Sequence, residues 1–250
     1  MRKLNYLVVV TLFFTGIASA NSYQEILQNS DRWQQDLKDD DRRKPAQVMS
    51  FFQVKPGMKV LDVFSGAGYF TEVTSFIVGP TGSIDAHNNQ AYVDYIGKDK
   101  LLARYKDNRL KNVNLINQEA NDLSLCEGCY DRILMVLTFH DLYYVDVANG
   151  WNKIGAPMFM QKIKRSLKPG GKLGIIDHNA ETGANINVAQ SLHRIDPDLI
   201  KQKMQKWGFE LEAEADFHSN SEDNRSLPMW DDSVRGKTDK SVLRFVIAKQ

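Results

Sequence analysis

Two glycines one residue apart, Gly66 and Gly68, follow a carboxylate, Asp62, in the run Leu61-Asp62-Val63-Phe64-Ser65-Gly66-Ala67-Gly68-Tyr69-Phe70. Glycine lets a backbone approach a ligand where any Cβ would collide, so this is a candidate ligand turn; a tight turn with no ligand would also use such residues. The dinucleotide fingerprint G-x-G-x-x-G is left incomplete, because Thr71 stands where its last glycine belongs. That departure counts against hydride transfer from a nicotinamide cofactor.

A second chemical candidate is Thr138-Phe139-His140-Asp141. An imidazole can take a proton from an oxygen or nitrogen near neutral pH, and an adjacent carboxylate can orient it or bind a substrate. A helix cap by Asp141 and a packed histidine are the plainer alternative. His178 is a second-choice base, with a structural hydrogen-bonded histidine the stronger reading. His193, Arg194 and Asp196 form a further polar group, but the spacings of His140, His178 and His193 match no short metal motif such as H-E-x-x-H, and no metal is expected. Cys126 and Cys129 are the chain's two cysteines; a lone C-x-x-C that does not open a helix reads as a loop disulfide rather than a redox catalyst. Tyr143, Tyr144 and Trp151 could wall a pocket or simply pack.

Alternating strands and helices would have to position these groups. After a polar helical lead-in, Ser22 to Phe52, the turn Lys55-Pro56-Gly57 introduces a strand at Val60 to Phe64, and Phe70, Val73 and Ile77 mark one face of the next helix. Strands are predicted at Ser83 to His87, Val113 to Asn117, Arg132 to Phe139, Leu173 to Asp177 and Val242 to Ala248, with helices at Tyr92 to Tyr105 and Pro157 to Leu167. Arg132 to Phe139 is apolar without alternation, as in a parallel sheet buried on both faces. Asp196-Pro197 supplies an N-cap and a first-turn proline for a helix ending at Gly208. Phe209, Leu211, Ala213, Ala215 and Phe217 then alternate with acids, predicting a half-exposed strand. The segment His218 to Lys240 is too long for a hairpin and is either a functional flap or a disordered tip. The fold class is α/β: a doubly wound, mostly parallel seven-stranded Rossmann-like sheet with helices on both faces and a C-terminal antiparallel β-ribbon.

Composition narrows the partners. The 250 residues carry 32 basic and 31 acidic side chains, which leaves no broad basic field for nucleic acid. Arg2 and Lys3, the apolar run Leu7 to Phe14 and the small residues Ala18-Ser19-Ala20 read as a secretory signal cleaved before Asn21, or else as an uncleaved anchor. The division expected is therefore a signal peptide at 1–20, a helical lead-in at 21–47 and one domain at 48–250. The mature chain is expected in the periplasm, with no stable membrane span.

From about Val48 onward the chain resembles the class I methyltransferases that use S-adenosylmethionine. The resemblance lies in LDVFSGAGYF, YDRILMVLTFHDLY, IKRSLKPGGKLGIIDH and the closing β-ribbon. It looks closest to a group of signal-bearing bacterial methyltransferases whose fourth strand ends in His-Asp and whose last helix follows HRIDP. The resemblance implies S-adenosylmethionine as cofactor and assigns Asp62, Gly66 and Gly68 to it. It also assigns Asn88, where the family commonly has a ribose-binding acid, and Glu119, near the adenine. Many members have glycine where this chain has Phe64. His140 and Asp141 would face a small-molecule acceptor. An exported noncatalytic binding protein of the same fold is the alternative function, and an NAD-dependent oxidoreductase the third.

Overall fold

The computed structural model describes residues 18–249. The signal reading of residues 1–20 lies outside them except for Ala18 to Ala20, which open the first helix. Four short helices come first: α1 (Ala18–Leu27), α2 (Gln34–Leu37), α3 (Asp40–Arg43) and α4 (Pro45–Phe51). They are followed by β1 (Lys59–Val63), α5 (Tyr69–Val78), β2 (Ser83–Asn88), α6 (Gln90–Ile96), α7 (Lys98–Tyr105), β3 (Val113–Asn117) and β4 (Tyr130–Val136). The C-terminal half contains α8 (Ala156–Ser166), β5 (Leu167–His178), α9 (Val188–Leu192), α10 (Pro197–Lys206), β6 (Phe209–Ala215) and β7 (Lys240–Ile247).

The strands form one sheet in the order β3-β2-β1-β4-β5-β7-β6. β1 to β5 run parallel, and β7 is antiparallel to both β5 and β6. The seven-stranded, mostly parallel sheet and its terminal ribbon are as the sequence predicts. Side chains alternate between two buried clusters: Leu61, Val63, Ile133 and Met135 pack with Phe159, Ile163 and Ile200, whereas Val60 and Leu134 pack with Val48, Val73 and Ile77. Apolar burial on both faces is what makes β1 and β4 read as nearly continuous apolar runs.

Of the element boundaries that differ from expectation, three do so for clear local reasons. The helix predicted at Tyr92 to Tyr105 is two helices, because Gly97 at φ +87° breaks the turn between them. β4 stops at Val136, since Leu137 has φ +61° and cannot continue a strand. β5 begins at Leu167 rather than Leu173, with a register shift between Tyr130 and Arg132 absorbing the extra residues. The alternation in β6 appears as predicted, and Asp196 caps α10 by accepting from the Asp198 N–H at 2.9 Å.

Candidate active site

The reversal of strand order between β2-β1 and β4-β5 opens a crevice at the carboxyl ends of β1 and β4, the place where open α/β sheets take ligands. A cavity of about 760 Å³ lies there, bounded by Asp62, Phe64, Gly66, Ala67, His140 and Asp141 among others.

The β1 turn is built under conformational constraint. Phe64 has φ +51°, a left-handed backbone that costs a non-glycine residue roughly 1–2 kcal/mol. Its ring compensates by stacking between Tyr92, with centroids 5.3 Å apart, and Phe159, at 5.7 Å. The positive φ explains why glycine suits this position in the proteins the chain resembles. Gly66 also has positive φ, +57°, and a Cβ built on it would meet no protein atom within 4 Å. Protein packing leaves open the space beside this backbone, which lines the cavity.

Gly68 has a different reason to be glycine. It sits at φ +84° at the start of α5, and a Cβ there would overlap the Tyr105 hydroxyl and the Arg104 side chain. Gly68 is thus a packing glycine beside the turn and does not line the cavity. Arg104 secures the loop by donating from Nε to the Ala67 carbonyl, while its Nη1 pairs with Asp36 at 2.7 Å and with Glu72. The lead-in helix α2 is thereby tied to the ligand turn.

Asn88 likewise acts on the turn rather than from the cavity wall. Its Oδ1 accepts from the Gly66 N–H and its Nδ2 donates to the Gly66 carbonyl, both at 3.0 Å. The amide pairs with one peptide unit in both directions, so the residue expected at the ribose clamps the ligand turn. Glu119 is outside the cavity wall, accepting from the Gln90 N–H at 3.1 Å. Asp62 does line the cavity; it is buried and accepts a 2.6 Å hydrogen bond from Thr71. Burial pushes its carboxyl up to about 7 against the opposing effect of the Thr71 hydroxyl.

The β4 end carries the other group. After the left-handed Leu137, the chain drops into a short turn that buries His140 and Asp141. Asp177, on β5, accepts from the His140 backbone N–H through Oδ2 and meets the ring Nδ1 through Oδ1, each at 2.7 Å. The opposite ring nitrogen, Nε2, is 3.3 Å from Asp141 Oδ1, and the Tyr92 hydroxyl donates to Asp141 Oδ2. Burial alone would lower the imidazole pKa, but Asp141 and Asp177 outweigh it and raise it to about 9. The partly neutral imidazole expected from sequence is therefore not what this environment favours at neutral pH.

His193 completes the cluster: its Nδ1 is 3.6 Å from Asp141 Oδ1, and its ring packs on Tyr144 and Trp230 with centroids 4.4 and 4.9 Å away. His178 is apart from it, bonded through Nδ1 to Thr238 Oγ1 at 2.6 Å, the structural role anticipated. Tyr144 and Trp151 wall the cavity, whereas Tyr143 packs against Phe139. Cys126 and Cys129 are joined as a disulfide in the loop before β4.

The segment between β6 and β7 is held against the rest of the chain. It is pinned by Arg194, fully buried, whose Nη1 and Nη2 bind Asp223 at 2.8 and 3.1 Å. Its middle brings Met229 and Trp230 to the cavity. Asp177, Tyr92 and Trp230 escape a reading of the sequence; of these only Asp177, an acid closing the apolar strand Leu-Gly-Ile-Ile-Asp, leaves a local trace.

The family model described as Protein-L-isoaspartate(D-aspartate) O-methyltransferase matches residues 27–134, less than half of the chain. The Ubiquinone/menaquinone biosynthesis C-methyltransferase UbiE of Pseudomonas aeruginosa PAO1 is 27% identical over 124 residues, covering 50% of this chain and 43% of that protein. The chain therefore spans less than half the length of this curated relative. Among solved structures, a SAM dependent methyltransferase from Aquifex aeolicus aligns with a TM-score of 0.59 and 21% identity, covering 91% of this chain and 98% of the other. The cyclase SpnF aligns with a TM-score of 0.57 and 17% identity, covering 89% and 86%. The sheet order and antiparallel ribbon are those of the Rossmann-like class I methyltransferase fold. The family match and the methyltransferase relatives support S-adenosylmethionine as the cofactor.

Proposed function

We propose that the protein transfers the methyl group of S-adenosylmethionine to a small-molecule acceptor in the cavity at the ends of β1 and β4. The observation that carries this reading is Gly66: its peptide is clamped by Asn88, it lines the cavity, and the space a Cβ would take is empty of protein. That is a cradle for a ligand lying against backbone. The buried Asp62 beside it suits a cationic group, and the stacked Phe64 ring offers an apolar wall.

S-adenosylmethionine supplies an electrophilic methyl on a positively charged sulfur, which needs an acceptor aligned behind it. The chain's contribution is that alignment: the Phe64-to-Ala67 turn fixes one reactant, and the aromatic rings of Tyr144, Trp151 and Trp230 enclose the other. In-line transfer to an O–H or N–H forms the new bond to carbon as the C–S bond breaks and leaves a proton on the acceptor. Asp141, with His140 beside it, is the group positioned to receive that proton, so both are the proposed catalytic residues. Near-balanced charge and an aromatic-walled cavity favour a small molecule over nucleic acid.

The second reading is an exported noncatalytic binding protein of the same fold, since a fold does not fix a function, and SpnF, a cyclase by name, shares this one. Calorimetric titration with S-adenosylmethionine, S-adenosylhomocysteine and NAD, followed by transfer of labelled methyl into cell-envelope extracts, separates the readings. Binding of the first two ligands with label transfer is expected. Binding without transfer would favour the second reading, and tight binding of NAD alone would overturn both.

We place the mature protein in the periplasm. Arg2, Lys3, the run Leu7 to Phe14 and Ala18-Ser19-Ala20 support export, and a Cys126–Cys129 disulfide suits an oxidising compartment. Among the described residues no helix is long and apolar enough to cross a membrane. N-terminal sequencing of periplasmic material should begin at Asn21; an intact Met1 or Arg2 would refute cleavage.

A further inference from the structure

Three potential donors converge on one wall of the cavity: His140 Nε2, His193 Nδ1 and a carboxylate oxygen of Asp141, all within 4.8 Å of one another. Asp141 Oδ1 is 3.3 Å from the first nitrogen and 3.6 Å from the second. Metal–ligand bonds of about 2.0–2.2 Å place neighbouring ligand atoms roughly 3.0–3.6 Å apart in octahedral or tetrahedral coordination. The two spacings to Asp141 fall at that scale, and the two imidazole nitrogens lie within 4.8 Å of each other.

The surroundings resemble those of a metal centre as well. A metal-bound histidine ordinarily donates its other ring N–H to a carboxylate, which fixes the tautomer and aims the free nitrogen at the ion. His140 has that arrangement, with Nδ1 on Asp177 at 2.7 Å and Nε2 turned toward Asp141. The Tyr92 hydroxyl holds the remaining Asp141 oxygen, Oδ2, leaving Oδ1 toward the two imidazoles. His193 is braced by Tyr144 and Trp230. The three ligands come from two distant stretches of sequence, β4's end and the segment before α10, which is why no short motif announces them.

We propose that His140, Asp141 and His193 bind a divalent first-row transition-metal ion, with its remaining coordination positions facing the cavity. Two imidazoles and one carboxylate suit zinc or ferrous iron and disfavour magnesium and calcium, which prefer all-oxygen ligands. Metal binding stands independently of methyl transfer. Its use is a deepening that rests on the methyltransferase reading: the ion would hold an oxygen-bearing acceptor such as an alcohol, phenol or carboxylate. Coordination would lower the pKa of a hydroxyl so that its proton passes to solvent rather than to Asp141, and the resulting oxyanion would form the new O–C bond as the C–S bond of the cofactor breaks.

The test is a titration of the untagged, chelator-stripped protein with Co²⁺ in the absence of S-adenosylmethionine, followed by displacement with Zn²⁺. A visible d–d absorption saturating at one equivalent is expected, and it should disappear as Zn²⁺ replaces cobalt. His193→Ala, a change at a half-buried ring, should weaken cobalt binding by at least about 10-fold, with circular dichroism verifying the fold. Asp177→Asn, removing the carboxylate behind His140, should weaken it by about 10–100-fold. The Cys126→Ser/Cys129→Ser variant should bind as the parent does. Absence of the absorption, an affinity unchanged by His193→Ala, or a thiolate-to-cobalt band would overturn the metal site. Separate calorimetry with S-adenosylmethionine reports on the cofactor reading, so either can fail alone.

Discussion

Asp177 grips His140 at two points, accepting from its backbone N–H through one carboxylate oxygen and meeting its Nδ1 through the other, both at 2.7 Å. A strand residue thereby fixes both the backbone and the ring of the residue that faces the cavity. Both partners are buried, so neither bond has water as a ready substitute. Asp177→Ala should lower unfolding free energy by roughly 1–3 kcal/mol through the unsatisfied groups it leaves, as read by urea denaturation. A variant as stable as the parent would show that the grip contributes little to folding.

Gly66→Val should abolish S-adenosylmethionine binding while leaving the fold intact. The branched side chain would enter the open space beside the turn and strain a backbone at φ +57°. Gly68→Val, by contrast, should destabilise the protein itself, because the added carbons meet Arg104 and Tyr105. Calorimetry paired with thermal unfolding distinguishes them, and an unchanged affinity in folded Gly66→Val would remove the turn from the site.

With an acceptor identified, Asp141→Asn should reduce turnover by about 100-fold or more with little change in S-adenosylmethionine affinity, because it removes the proton acceptor, and His140→Ala should also reduce turnover by removing the ring beside that carboxylate. Full turnover accompanied by lowered stability would leave His140 a packing residue.

Cofactor affinity should increase as pH rises through about 7. Asp62 is held partly protonated near neutrality by burial, and a cationic ligand favours its ionised form, so binding should release a proton. The folded-state carboxyl is raised above its unfolded value of about 3.9, so its contribution to stability is complete below that value and is lost as pH climbs toward 7. Calorimetry in buffers of different ionisation enthalpy measures the proton, and Asp62→Asn should flatten the profile.

His87 makes the opposite contribution. Burial lowers its pKa to about 4 despite a 2.9 Å hydrogen-bonding contact with the Gln118 carbonyl. The folded protein favours the neutral ring, so the associated stability is present above about 6.5 and is lost as pH falls toward 4. Denaturant titrations across that interval should show a decline that His87→Gln reduces.

Sequence alone determined the α/β class, the parallel core and the closing ribbon. Apolar side chains buried on both sheet faces leave nearly unbroken apolar runs at Val60 to Phe64 and Arg132 to Phe139, and Gly and Pro bound them, all within local windows. The candidate residues Asp62, Gly66, His140 and Asp141, all of which line the cavity, were legible for the same reason: each lies at a strand end or in a βα turn. Tertiary structure decided what their neighbours do. Asn88 carries an amide that could hydrogen-bond a ligand, but the β1–β2 register sets it against the Gly66 peptide instead. Gly66 and Gly68 look alike in sequence, yet one borders empty space and the other the Arg104 side chain. His193 reaches Asp141 across 51 intervening residues because the sheet brings the end of β4 beside the segment preceding α10. Contacts between residues distant in sequence have no period or spacing to betray them; only folding sets their distances.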